Sequence, residues 1–138
     1  MWMRALGVWG LLALAMVANG VARLYLLVPL LGERGAEWAS AAIAVALILL
    51  ITRPFVRSLA PAGDGTFRGV AALWVGMTVA FELGFGHWVA GASWAELLAN
   101  YDLRAGRPWP LVLAMVAAAP FVWRPRGALA PRGPLPAP

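Results

Sequence analysis

The chain has 138 residues, a length that suits one domain; 62% are hydrophobic, only 12% are charged, and mean hydropathy is +0.78. A soluble domain usually carries about 25% charged residues, so half of the expected solvating charge is missing and the composition predicts an integral membrane protein. The absence of cysteine excludes disulfides, thiolate metal sites and thiol nucleophiles, and the net charge of +5 comes from eleven arginines scattered singly between apolar runs, unlike the clustered footprint of a nucleic-acid binder.

The first apolar run extends from Ala5 to about Leu31. Arg4 before it and Ala13-Leu14-Ala15 inside it imitate a signal peptide. The run continues well past that site and further spans follow, so a retained first span over residues 5–31 is expected, ended by Pro29 and Gly32. It exceeds the ~20 residues needed to cross a bilayer. Gly32-Glu33-Arg34-Gly35 reads as a tight connector to a second span over 36–56, whose first half is rich in Ala and Ser. Small residues four apart, such as Ala42 and Ala46, let helix backbones approach closely in lipid.

Arg53, Pro54 and Arg57 close that span, and the Pro/Gly content of residues 61–65 marks a loop. The third span covers 68–89. Ser93-Trp94-Ala95-Glu96 then has the form of a capping box. Trp94, Leu97, Leu98 and Tyr101 follow on one helical face. Asn100, Asp102 and Arg104 forbid a span here, so residues 94–103 are expected as a short interfacial helix. Arg107-Pro108-Trp109-Pro110 opens a short fourth span over 109–123, proline being tolerated in a first helical turn. The Pro-, Gly- and Arg-rich tail, 124–138, has little to bury and is expected to be a disordered cytoplasmic tail. The predicted architecture is all-α: residues 1–123 form a bundle of four transmembrane helices, with the interfacial helix between the third and fourth.

Arginine placement predicts the orientation. Arg4, Arg53, Arg57, Arg68, Arg124, Arg126 and Arg132 fall on one side, against Arg34, Arg104 and Arg107 on the other with four of the six acids. The positive-inside rule then puts both termini in the cytoplasm.

Two ionisable side chains lie inside apolar spans, Arg23 and Glu82, each about seven residues from the outer end of its span, near Leu30 and Val89. Both therefore sit ~10 Å below the outer boundary. Opposite charges at equal depth invite pairing, since each alone is costly in lipid. Asn19, one turn below Arg23, and Thr78 below Glu82 are placed to support the pair. One reading is a structural clamp that fixes helix register. The other is a proton- or ion-coupled site in which Glu82 titrates, Arg23 modulates it, and His87 near the outer interface joins a relay.

A single histidine without cysteine argues against zinc, and Gly84, Phe85 and Gly86 are too few for a phosphate loop. No catalytic set, metal or cofactor is expected, and Ser93 serves better as a cap than as a nucleophile. The motifs Asn19-Gly20-x-x-Arg23, Pro29-x-x-Gly32-Glu33, Phe81-Glu82-x-x-Phe85-Gly86-His87, Ser93-Trp94-x-x-Leu97-Leu98-x-Asn100-Tyr101-Asp102-Leu103 and Gly106-Arg107-x-Trp109 resemble a family of small uncharacterised bacterial four-helix inner-membrane proteins. The resemblance implies a bacterial inner-membrane setting and carries no activity and no functional residue. The expected function is that of a structural or accessory membrane component, a partner to the lipid bilayer and to itself or a larger membrane complex. The alternative is a small oligomeric proton-coupled transporter or channel using Glu82. A nucleic-acid partner is not expected, and a membrane enzyme is the third and weakest reading for lack of a catalytic set.

Overall fold

The computed structural model describes residues 1–126, which are almost wholly helical, without a strand among them. Helix α1, Trp2–Ala22, continues through a π-helical turn, Arg23–Leu27, into α2, Val28–Ser58. The continuous helix is broken at one residue. Gly32 has φ 72° and ψ 170°, a left-handed conformation that glycine alone adopts without steric cost. The second leg folds back along α1 there, and buried Asn19 donates from Nδ2 to the Ser40 carbonyl at 2.9 Å across the hairpin. The expected four-residue connector is thus reduced to a single residue, with helix resuming at Glu33.

A loop over residues 59–63 leads to α3, Asp64–Gly84, which ends in a second π-helical turn, Phe85–Val89. A strap then crosses the end of the bundle. It holds α4, Trp94–Ala99, and a 3₁₀ turn, Leu103–Ala105, before α5, Trp109–Val122, descends. The second leg packs on α1 and α5, and α3 packs on α5 and, over a shorter stretch, on α1, so the four legs close a ring.

Two stretches, Trp2–Ser58 and Asp64–Val89, are long and apolar enough to cross a membrane, and α5 is a shorter apolar helix. The end that carries the 59–63 loop is closed. Trp74, Phe67, Ile48, Val56 and Val70 are fully buried there, and the Trp74 indole donates to the Ala5 carbonyl at 2.9 Å. Arginines pack on this apolar plug: Arg124 pairs with Asp64 and lies 5.1 Å from the Phe67 ring centroid, while Arg53 covers Trp123 at 5.2 Å. Cation–π contacts of this kind contribute about 0.5–1 kcal/mol each at exposed sites. Arg124, expected to begin a disordered tail, is therefore docked, because Asp64 and Phe67 offer it both a charge and a ring face. Residues 127–138, the rest of that tail, lie outside the described residues.

Candidate functional site

A chamber of about 590 Å³ occupies the opposite half of the bundle, walled by all four legs and roofed by the strap. Its floor is apolar, with Leu12, Ala44, Ile48, Val112 and Val116; its upper walls carry Arg23, Glu37, Ser40, Glu82, Asn100 and Trp109. This division follows from the chain. In each leg the residue facing inward one or two turns below the roof is charged or polar, whereas the next inward residues are apolar.

Arg23 and Glu82 both line this chamber, but they do not form the ion pair expected from their equal depth. Glu82 Oε2 instead accepts a hydrogen bond of 2.5 Å from the Tyr101 hydroxyl, delivered by the strap. Depth along a helix says nothing about the direction around the ring, and α1 and α3 touch only over a short stretch. Among the described residues Arg23 has neither a salt-bridge nor a hydrogen-bond partner in the protein. The buried indole N–H of Trp109 lies beside Glu82 and Tyr101 without completing a hydrogen bond. Burial and then donation to Glu82 push the Tyr101 phenol up to about 12.

The supporting residues go elsewhere. Asn19 serves the Ser40 carbonyl, and the Thr78 hydroxyl accepts from the Trp9 indole at 3.1 Å, which ties α1 to α3 below the chamber. His87 stands outside the chamber wall. Its Nδ1 lies 2.9 Å from the Ala92 carbonyl, and its ring stacks on Trp94 with centroids 4.0 Å apart. A carbonyl only accepts, so Nδ1 carries the proton and the histidine acts as a local clasp.

The strap is built largely by its caps. The Ser93 amide donates to Glu96 Oε2 at 2.7 Å and the Glu96 amide to Ser93 Oγ at 3.2 Å, a complete capping box. The Ser93 amide holds the Glu96 carboxyl below the usual carboxylate range. Helix α4 ends at Ala99, short of the expected 103, because Asp102 Oδ1 accepts from the Arg104 and Ala105 amides and starts the 3₁₀ turn. The apolar face expected to include Leu97 and Leu98 together is split. Leu97 is buried over Gly86, while Leu98 points outward at 62% exposed. Trp94, counted with that face, is about half exposed and covers His87.

Sequence reasoning missed the second charged pair. Arg107 Nη1 donates to Glu37 Oε1 at 2.6 Å beside the chamber, and the other Glu37 oxygen is buried without a partner. The available signal was two opposite charges in the first turn of span two and just before span four.

No protein-family model matches this chain, and neither the curated proteins nor the solved structures hold a match to it. The site's chemistry is therefore read from its groups. Among the described residues they comprise one free guanidinium, one carboxylate held by a phenol, a bonded ion pair with a spare oxygen, and an unused indole donor. This set can bind and orient a polar group, and it contains no nucleophile paired with a base.

Proposed function

We propose that the chain is a multi-pass protein of the bacterial inner membrane, with both termini cytoplasmic, that binds a small molecule in the chamber beside Glu82. The lipid setting is supported by composition and by the many large hydrophobic side chains that the bundle exposes, Leu14, Leu30 and Leu50 among them at 67%, 80% and 67%. A water-soluble monomer rarely presents patches beyond a few hundred Å². The arginine asymmetry supports the orientation.

The observation that carries the binding reading is the chamber. Its volume falls within the ~300–1,000 Å³ typical of small-molecule sites, with a few placed polar groups above an apolar floor. A structural or accessory role needs Glu82 paired and dry, whereas a proton-coupled carrier needs it on a space that water and ligand reach. Glu82 lines the chamber, which favours the carrier.

Cysteine substitution tests this, since the chain has no native cysteine. Ser40 lines the chamber, and Ala42, two residues on, faces outward on the same leg. In membrane vesicles, Ser40→Cys should react with a small water-soluble thiol reagent and Ala42→Cys should not. A silent Ser40→Cys would return the accessory reading, and a reactive Ala42→Cys would remove the lipid setting.

A further inference from the structure

The chamber has a side door. Of the residues that line it, Val17 on α1, Phe81 on α3 and Phe85 at the start of the π-turn after it are the exposed ones. Its liners on the second leg and on α5 are buried or half-buried. The roof is held down, with Leu97 packed over Gly86 and Arg34 Nη1 donating to the Ala105 carbonyl at 2.8 Å. The open side therefore faces sideways, between α1 and α3, framed by two phenylalanines stacked at 5.4 Å. On the proposed membrane setting, that side faces lipid tails.

The charges flank this door. Arg23, just past α1, and Glu82 on α3 line the chamber from the two helices that frame it, each close to a π-helical turn: one turn begins at Arg23 and the other three residues after Glu82. π-turns inside helices occur frequently at functional sites, because the extra residue redirects side chains. Arg23, without a partner among the described residues, is costly at the edge of a low-dielectric space unless something meets it, and Glu82 has the Tyr101 hydroxyl but no counter-charge. The Trp109 N–H and the second Glu37 oxygen add one unused donor and one unused acceptor.

We infer that the chamber takes an amphiphile with a zwitterionic head group, entering sideways between α1 and α3. Its anionic part, a phosphate or carboxylate, meets Arg23 and the Trp109 N–H. Its ammonium meets Glu82, with the spare Glu37 oxygen as a second acceptor. The chain lies over the apolar floor and leaves past Phe81 and Phe85. The inference rests on the chamber being a binding site and adds the class of ligand. A membrane phospholipid and a free zwitterion share the head chemistry, and the tail distinguishes them.

The test uses the full chain in maltoside micelles, with Kd taken from the rise in Tm against ligand concentration. The probes are lysophosphatidylethanolamine, lysophosphatidylglycerol, dodecylamine and phosphoethanolamine. The first should bind at least about tenfold tighter than either singly charged amphiphile, the scale of one charge-assisted hydrogen bond made or lost in a desolvated site. Glu82→Gln should erase its preference over lysophosphatidylglycerol, and Arg23→Gln its preference over dodecylamine. Equal affinity of the three amphiphiles would overturn the zwitterion assignment and leave the chamber standing. Phosphoethanolamine binding as tightly as the lysolipid would overturn the side entry. If no probe raises Tm and Ser40→Cys stays unlabelled, the binding reading itself falls.

Discussion

The Tyr101 hydroxyl donates to Glu82 Oε2 at 2.5 Å, so the strap over the bundle is tied to the carboxylate near the end of α3. The bond joins residues 19 apart in sequence, and it decides which partner Glu82 has. Tyr101→Phe should destabilise the protein by about 1–3 kcal/mol, the range for a hydrogen bond to a charged group or for a buried acceptor left unmet. In a double-mutant cycle with Glu82→Ala the two losses should couple by about 0.5–3 kcal/mol. The matching cycle of Arg23→Ala with Glu82→Ala, run without ligand, should be additive to within about 0.5 kcal/mol. Denaturation in detergent measures both; strong coupling in the second cycle would restore the ion pair.

Tyr101 also gives the protein an alkaline limit. Its phenol is raised from the ordinary value of 10.0 to about 12 in the folded state. Between those values the folded state holds a proton that the unfolded chain has released. The contribution is therefore complete below pH 10 and is lost as pH rises toward 12. Tm should fall across that window in the wild type and fall less in Tyr101→Phe. Parallel curves for the two proteins would refute the assignment.

Gly86 is where the strap rests. A Cβ built there would meet Leu97 Cδ2 at 2.5 Å, whereas at Gly84 the nearest atom, on Trp88, lies at an ordinary 3.6 Å. Gly86→Ala should lift Leu97 and cost about 1–3 kcal/mol, as overpacking does. Gly84→Ala, in a helix interior, should be neutral or stabilising by up to about 1 kcal/mol. Thermal denaturation compares them, and equal effects would mean that the strap is not seated through Leu97.

Orientation is checked with a reporter active only in the cytoplasm. Fusions after Pro138 and after Gly63 should be active, and one placed within Glu33–Gly35 should be silent. Activity at the last site would reverse the membrane sidedness and put the chamber near the cytoplasmic face.

Much of the local structure was legible without coordinates. Glycine, proline and capping residues act within a turn of where they stand, so Gly32, Pro61 and the Ser93–Glu96 box each announced their breaks and starts. Apolar run length likewise marks the helices, because each run answers to its own period and solvent. The chamber was only half legible. Arg23 and Glu82 stood out as charges in apolar runs, and their shared depth followed from counting residues.

Their separation did not follow. Whether two residues on different helices meet depends on rotation about each axis and on the gap between axes. Those are set by packing of all four legs and shifted by the π-turns at Arg23–Leu27 and Phe85–Val89. Tyr101 reads in sequence as part of an interfacial helix and Trp109 as the opening of a span, and only the strap and α5 bring them to Glu82. Composition and spacing by themselves determined the helices and the charges they carry. Tertiary structure alone decided which charges meet, because a one-dimensional pattern records depth along a helix but not the direction a side chain faces across the bundle.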